Sequence, residues 1–163
     1  MKSKISLYSR ILVLVSVFFL TALPAQADPF SSPADLQQLD AYGVISVREL
    51  VDSDTLVFRF LIVGQAGQVL VPQVELRPVS ESFLEANLVG EPLIASGGPQ
   101  WVSVPNHHPL TSGGYHWRAR VLVGAAPSPW IAFGDNEDHV DPPSFFADAD
   151  FYFVHRNSKY GRG

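Results

Sequence analysis

The stretch GGYHWRARVLVGAAPSPWIAFG, residues Gly113 to Gly134, decides the fold. Its first half alternates apolar and polar side chains, which is the pattern of a β-strand with one buried face. A Gly/Pro loop and a second aromatic segment, residues 128–133, follow at once, as two strands joined by a tight connection require. The pattern predicts the last two strands of a β-sandwich. The predicted inward side chains are Tyr115, Trp117, Ala119 and Val121, and the predicted outward ones are His116, Arg118 and Arg120.

The rest of the body repeats this signal in shorter runs, separated by Gly, Pro, Asn and Asp, without helical periodicity. The strongest run is residues 55–63, where Leu56, Phe58, Phe60 and Ile62 share one predicted face and Arg59 takes the other. In residues 69–77, Val74 and Leu76 are predicted to face in, whereas Glu75 and Arg77 are predicted to face out.

Further strands are predicted along the whole body of the chain. They cover residues 36–46, one or two short edge strands within 83–95, residues 101–104 and 114–123, and a last strand split into 130–133 and 150–155. We therefore expect an all-β fold, a two-sheet antiparallel sandwich of about seven strands.

The first 27 residues have the features of a secretory signal peptide. Lys2, Lys4 and Arg10 form a basic start, Ile11 to Leu23 is an apolar run, and Ala25-Gln26-Ala27 is a small-residue cleavage pattern. The alternative is an uncleaved membrane anchor, but the apolar run is short of the roughly 20 residues that a spanning helix needs. The sequence predicts a secreted or periplasmic protein without a membrane span after cleavage.

Four segments are predicted: a leader (1–27), a linker (28–35), one sandwich domain (36–155) and a flexible basic tail (156–163). Without the leader, the chain keeps 8 basic and 16 acidic residues, a net charge of −8. This balance argues against a nucleic-acid partner and against charge-driven binding to anionic lipid. The chain has no cysteine, so neither a disulfide nor a cysteine nucleophile is available.

Two features of the central stretch resemble fibronectin type III domains. The segment Leu110 to Tyr115 resembles the turn and tyrosine that open the penultimate strand there, with a spacing one residue shorter than the commonest version. Arg118 and Arg120, followed by Trp130, are similar to the arginine–tryptophan ladder of cytokine-receptor domains, with one of the two usual tryptophans. The resemblance covers residues 36–154 and extends to fibronectin-like domains of exported bacterial proteins. It implies a fibronectin type III or immunoglobulin-like sandwich, with Trp130 stacked on Arg118 or Arg120. It implies no particular activity.

Histidines form the first candidate site. His107 and His108 are adjacent in a PNHHP loop, and His116 lies on the strand that follows. Zinc and copper sites use histidine ligands at defined spacing. The alternative is a set of ordinary loop and surface histidines, to which His139 and His155 would also belong.

The second candidate is the long loop Gly134 to Ala149, which is rich in carboxylates. Oxygen ligands from a flexible loop suit calcium, although the spacing does not match an EF-hand. The alternative is a solvated acidic loop that protects a sheet edge. The candidate calcium ligands are Asp135, Glu137, Asp138 and Asp141.

The third candidate is an aromatic binding surface with Trp101, Trp130 and Tyr152, beside Arg118 and Arg120. The alternative is that the arginine ladder uses Trp130 and that Trp101 caps the core. No serine-hydrolase elbow, metalloprotease helix or paired-carboxylate motif is present, so the sequence predicts a non-enzymatic protein without a cofactor. The expected function is a binding or structural module that engages a protein partner through loops at the sandwich ends. The alternatives are a carbohydrate-binding module with exposed tryptophans and a metal-dependent hydrolase with His107, His116 and acidic-loop residues in one pocket.

Overall fold

The computed structural model describes residues 32–53, 55–134 and 149–155. These residues form twelve strands and no helix, arranged in two sheets, so the fold is the predicted all-β sandwich. The predicted leader, the first part of the linker and the predicted tail lie outside the described residues. Within the described ranges, no helix reaches the length and apolarity needed to cross a membrane.

The first sheet, sheet A, has four antiparallel strands in the order β2-β1-β4-β8. A turn at Asp40 separates β1 from β2, because the carboxylate of Asp40 accepts hydrogen bonds from the backbone N–H groups of Tyr42 and Gly43. The predicted single strand over residues 36–46 is therefore two strands. The four strands are β1 (Ala34–Leu39), β2 (Val44–Ile45), β4 (Val57–Val63) and β8 (Pro99–Pro105).

The second sheet, sheet B, is built on the two longest strands, β5 and β9, which pair antiparallel. Its central order is β3-β12-β9-β5-β6, and three further short strands pair with β9 or β5. The last strand is split, as predicted. The strands are β3 (Glu49–Val51), β5 (Val69–Pro78), β6 (Leu88–Val89), β7 (Leu93–Ile94), β9 (Gly113–Val123), β10 (Ala126–Pro127), β11 (Ile131–Ala132) and β12 (Phe151–Phe153).

The core lies between the two sheets, and the predicted inward side chains of β4, β5 and β9 are all buried there. Trp117 is at its centre, with the ring of Phe58 4.7 Å away and the ring of Phe133 5.0 Å away. Because successive strand residues point to opposite faces, this arrangement places Arg118 and Arg120 on the outer face of sheet B.

The tyrosine at the start of β9 is hydrogen-bonded to the turn that precedes the strand. The Tyr115 hydroxyl donates a hydrogen bond to the carbonyl oxygen of Thr111 at 3.0 Å, and the hydroxyl oxygen accepts one from the backbone N–H of Thr111, also at 3.0 Å. The turn that leads into β9 is thus fixed to the strand, which sets the register of the outward residues.

Candidate functional site

The outer face of sheet B carries a continuous stack of rings and guanidinium groups. The guanidinium carbon of Arg118 lies 4.5 Å from the ring centre of Trp130 and 4.6 Å from that of Phe83. The guanidinium carbon of Arg120 lies 4.3 Å from the ring centre of Trp130. His116 stacks on Phe83 with ring centres 4.1 Å apart. The stack of Trp130 on arginine that the resemblance implies is present, and it involves both Arg118 and Arg120.

Strand geometry explains why this stack forms. Alternate residues of a strand are about 6.8 Å apart, which is roughly twice the thickness of an aromatic ring. Side chains at positions 116, 118 and 120 of β9 therefore leave gaps of one ring each. Phe83 fills the first gap from the 80–87 connection, and Trp130 fills the second from the segment after β10.

Glu75 neutralises the centre of this stack. Its Oε2 atom accepts hydrogen bonds from Arg118 Nε at 3.0 Å and Nη2 at 2.9 Å, and its Oε1 atom accepts from Arg77 Nε at 3.0 Å. Glu75 is on the outer face, as predicted, but it is fully buried because the backbone of Leu84 covers it and donates to Oε1. The charge of Arg118 in the arginine–tryptophan ladder is thus balanced by Glu75, and the Trp130 ring contacts two guanidinium groups.

The outer face of sheet A differs in composition. In an antiparallel sandwich this face is normally polar, but most paired outer positions here are aliphatic or aromatic. Val44, on the edge strand β2, is 65% exposed. We name this surface the apolar face. Its paired apolar residues are Ala34, Leu39, Val44, Val57, Leu61, Val63, Pro99, Trp101 and Pro105, and its paired polar residues are Gln37, Arg59 and Ser103.

Arg59 and Trp101 form the centre of the apolar face. Trp101 is opposite Leu61 in the register of β4 and β8, at the next outward-facing pair after Arg59 and Ser103, and it is 42% exposed. The guanidinium carbon of Arg59 lies 4.4 Å from the indole centre. Three arginines of sheet B each contact a carboxylate, whereas Arg59 contacts none among the described residues. Those three are Arg77, Arg118 and Arg120.

The PNHHP loop borders an open cavity of about 450 Å³ at one end of the sandwich. His108 is held there by a hydrogen bond between its Nε2 atom and the carbonyl oxygen of Asn87, 3.0 Å away. His116 is not in this cavity, since it stacks in the ladder and bonds to the carbonyl oxygen of Glu81. The lining residues are Asn106, His107, His108, Pro109, Leu110, Phe153 and His155.

A pocket that joins His107 with His116 is therefore not formed. Among residues 32–53, 55–134 and 149–155, no group of three or more histidine or carboxylate side chains is placed to hold a metal ion. The candidate calcium ligands lie outside the described residues, so calcium binding by that loop stays a prediction. These ligands are Asp135, Glu137, Asp138 and Asp141.

Both ends of the acidic loop are fixed to the same part of β9. The N–H of Phe133 donates to the carbonyl oxygen of Trp117, and the N–H of Asp150 donates to that of Tyr115. The described residues on either side of the loop, Phe133 and Asp150, therefore both lie beside the first half of β9.

Asp150 is a buried carboxyl group beside this junction. Its Oδ2 atom accepts the backbone N–H of Trp117 at 2.8 Å. Burial raises the pKa of Asp150 from 3.8 to about 8, and the hydrogen bond from Trp117 opposes part of this rise. Asp150 belongs to the interior of the sandwich, since its side chain is shielded from solvent.

Sequence reasoning assigned Trp101 to a binding surface but did not pair it with Arg59. The two residues are 42 positions apart, and only the register of β4 and β8 brings them together. A usable signal was the composition of residues 57–63, where the outward positions are Val57, Arg59, Leu61 and Val63. Three aliphatic residues on an outward face already indicate a surface unlike that of an ordinary solvated sheet.

No protein-family model matches this chain, and no curated protein sequence matches it.

Proposed function

We propose that this chain is an exported, non-enzymatic binding module with a fibronectin type III-like sandwich, and that it engages a protein partner. The apolar face of sheet A carries the proposal. Contiguous exposed apolar surface costs solubility, and on soluble domains it commonly marks an interaction site. The leader predicted at residues 1–27 supports export.

The fibronectin-type assignment has three supports. The strand order places β1, β4 and β8 in one sheet and β5, β9 and the split last strand in the other. The Tyr115 hydroxyl bonds back to the preceding turn. The ladder of Arg118, Arg120 and Trp130 fills the outer face of sheet B. Because this ladder already uses the aromatic groups of sheet B, the exposed tryptophan is Trp101 on sheet A.

A protein partner suits the apolar face better than a sugar. Sugar sites combine an aromatic platform with several hydrogen-bonding side chains. Here the paired polar side chains are Gln37, Arg59 and Ser103, and aliphatic groups fill most of the remaining positions. One side of the Trp101 ring is also occupied by Arg59. Aliphatic groups around an exposed tryptophan are typical of the centre of a protein interface.

Site-specific photo-crosslinking in the cells that make the protein tests the proposal. A photoreactive phenylalanine analogue replaces Val44 on the apolar face in one variant, and Val89 on the edge strand β6 in the control. The two positions are similarly exposed, at 65% and 57%. We expect a discrete protein adduct from position 44 and none from position 89. The crosslinked partner is then identified and purified, and we expect the Leu61→Asp variant not to bind it in a titration.

Two results would contradict the proposal. The first is the same adducts from both positions, because a docking surface must distinguish them. The second is binding of a soluble glycan that Trp101→Ala abolishes, without a protein adduct, which would favour the carbohydrate-binding alternative.

A further inference from the structure

Arg59 is the one charged side chain among the paired outer positions of sheet A that the structure describes. Its neighbours across the strands are Gln37 on β1 and Ser103 on β8, and both are uncharged. Its observed charge contact is with the indole of Trp101. A guanidinium group has five N–H donors. A carboxylate can accept two of them at once, whereas the face of an indole ring offers no comparable acceptor.

The ladder on sheet B provides an internal comparison. Arg120 is also stacked on a tryptophan, at 4.3 Å from Trp130 compared with 4.4 Å for Arg59 on Trp101. Arg120, however, also bonds to Glu85 and to the amide oxygen of Gln73. The stacked arginine on sheet B therefore has a carboxylate partner, whereas the stacked arginine on sheet A, Arg59, has none among the described residues.

This absence stands out in a chain that is rich in acid. The full sequence has 16 acidic residues against 11 basic ones, yet none of the described carboxylates reaches Arg59. An acidic protein also repels acidic partners at long range, so a local cation is needed to hold a partner carboxylate. Trp101 holds the Arg59 guanidinium over its ring, which lowers the entropy lost when a carboxylate binds.

We propose that the Arg59–Trp101 pair receives a carboxylate of the protein partner, an aspartate or glutamate side chain flanked by apolar residues. The carboxylate takes the free N–H edge of Arg59, while its apolar neighbours cover Leu61 and the open side of Trp101. The inference rests on the proposed protein-binding function and names the chemistry of the partner segment.

Selection of random peptides displayed on phage against the purified full chain tests the inference. Wild type is compared with Arg59→Gln, with the charge reversal Arg59→Glu, and with Arg120→Gln as the matched control on the other sheet. Circular dichroism and thermal unfolding establish that each variant is folded. We expect wild type and Arg120→Gln to select peptides with an acid next to apolar residues, and Arg59→Glu to select basic residues there.

Affinities of the selected peptides complete the test. Changing the peptide acid to its amide should weaken binding to wild type about tenfold, and should have less than about a twofold effect on Arg59→Gln. The inference would be overturned if the selected peptides carry no acid and bind Arg59→Gln as well as wild type. If their binding still requires Leu61 and Trp101, the proposed protein-binding function stands. If the affinities of the selected peptides do not change in Leu61→Asp and Trp101→Ala, the apolar face is not the binding surface, and the proposed function fails as well. Arg59-dependent binding of a uronic-acid glycan, with no peptide selected, would also overturn the inference.

Discussion

The indole N–H of Trp117 donates a hydrogen bond to the side-chain oxygen of Gln38, 3.1 Å away and on the opposite sheet. The amide nitrogen of Gln38 then donates to the carbonyl oxygen of Asp150 at 2.8 Å and to that of Ser46 at 3.2 Å. One buried amide thus joins β1 of sheet A to β9 and to the segment before β12. The largest aromatic side chain of the core is held by a polar contact as well as by packing.

Replacing Gln38 by leucine should lower the free energy of unfolding by about 1–3 kcal/mol, because the buried indole N–H loses its acceptor. Urea denaturation followed by circular dichroism measures the change. Gln37→Leu is the matched control, since Gln37 is the next residue on the same strand and faces outward. Its effect should stay within about 0.5 kcal/mol. Equal losses would show that the Gln38 hydrogen bonds contribute little.

The two tryptophans of the last strands should differ in their contribution to stability. Trp117→Ala should cost about 3–5 kcal/mol, because it empties the centre of the core. Trp130→Ala should cost about 1–2 kcal/mol, from two contacts with guanidinium groups at about 0.5–1 kcal/mol each. Urea denaturation followed by far-UV circular dichroism compares them. Equal costs would mean that the ladder stabilises the sandwich as strongly as the core does.

Glu75 should be more sensitive to neutralisation than other carboxylates of the ladder. Glu75→Gln removes the carboxylate charge of Glu75 from the nearly buried guanidinium of Arg118, and we expect a loss of about 3–5 kcal/mol in the free energy of unfolding. Glu85→Gln is the control, since Glu85 also bonds to an arginine but is largely exposed. That change should cost less than about 1 kcal/mol. Thermal and urea unfolding of both variants test the difference, and similar losses would contradict the prediction.

Asp150 should make stability depend on pH. The unfolded chain releases the Asp150 proton above pH 3.8, whereas the folded chain keeps it until about pH 8. Unfolding in this interval releases a proton, so the contribution of Asp150 is full below about pH 4 and is lost as the pH rises to about 8. The slope from this group is at most about 1.4 kcal/mol per pH unit.

Asp150→Asn should remove that part of the slope, since asparagine cannot ionise but can still accept the N–H of Trp117. Urea denaturation at a series of pH values from about 4.5 to 8.5, which covers most of the interval between the two pKa values, measures the slope of stability against pH. Glu91→Gln, an exposed change of the same charge, is the control. If the wild-type and Asp150→Asn curves run parallel across this range, Asp150 does not carry the pH dependence.

The sequence predicted those parts of the structure that depend on local pattern. Alternation in residues 55–63 and 113–123 identified the inner faces and placed Arg118 and Arg120 on the outer face, whereas their stack with Trp130 was implied by the family resemblance. Glu75 was predicted to face out, and it does, but its burial depends on Leu84 and the connection that covers it. That cover is a tertiary feature, which strand periodicity does not encode.

Two other features depend on pairing between distant segments. Strand β3 was missed because Glu49–Val51 is short and two of its three residues are exposed, so it lacks a hydrophobic alternation. The pair of Arg59 with Trp101 requires the register of β4 with β8. A sequence pattern identifies the face on which each residue lies, but pairing decides which residues meet.

Strand β12 lies between β9 and β3 and pairs with both, antiparallel to one and parallel to the other. Glu49–Val51 comes early in the chain, yet it joins sheet B only through Phe151–Phe153, about a hundred residues later. During synthesis, the early strand therefore has no neighbour in its sheet until nearly the whole described chain has left the ribosome. Sheet B can therefore be complete only after Phe151–Phe153, the last strand of the described chain, has been made.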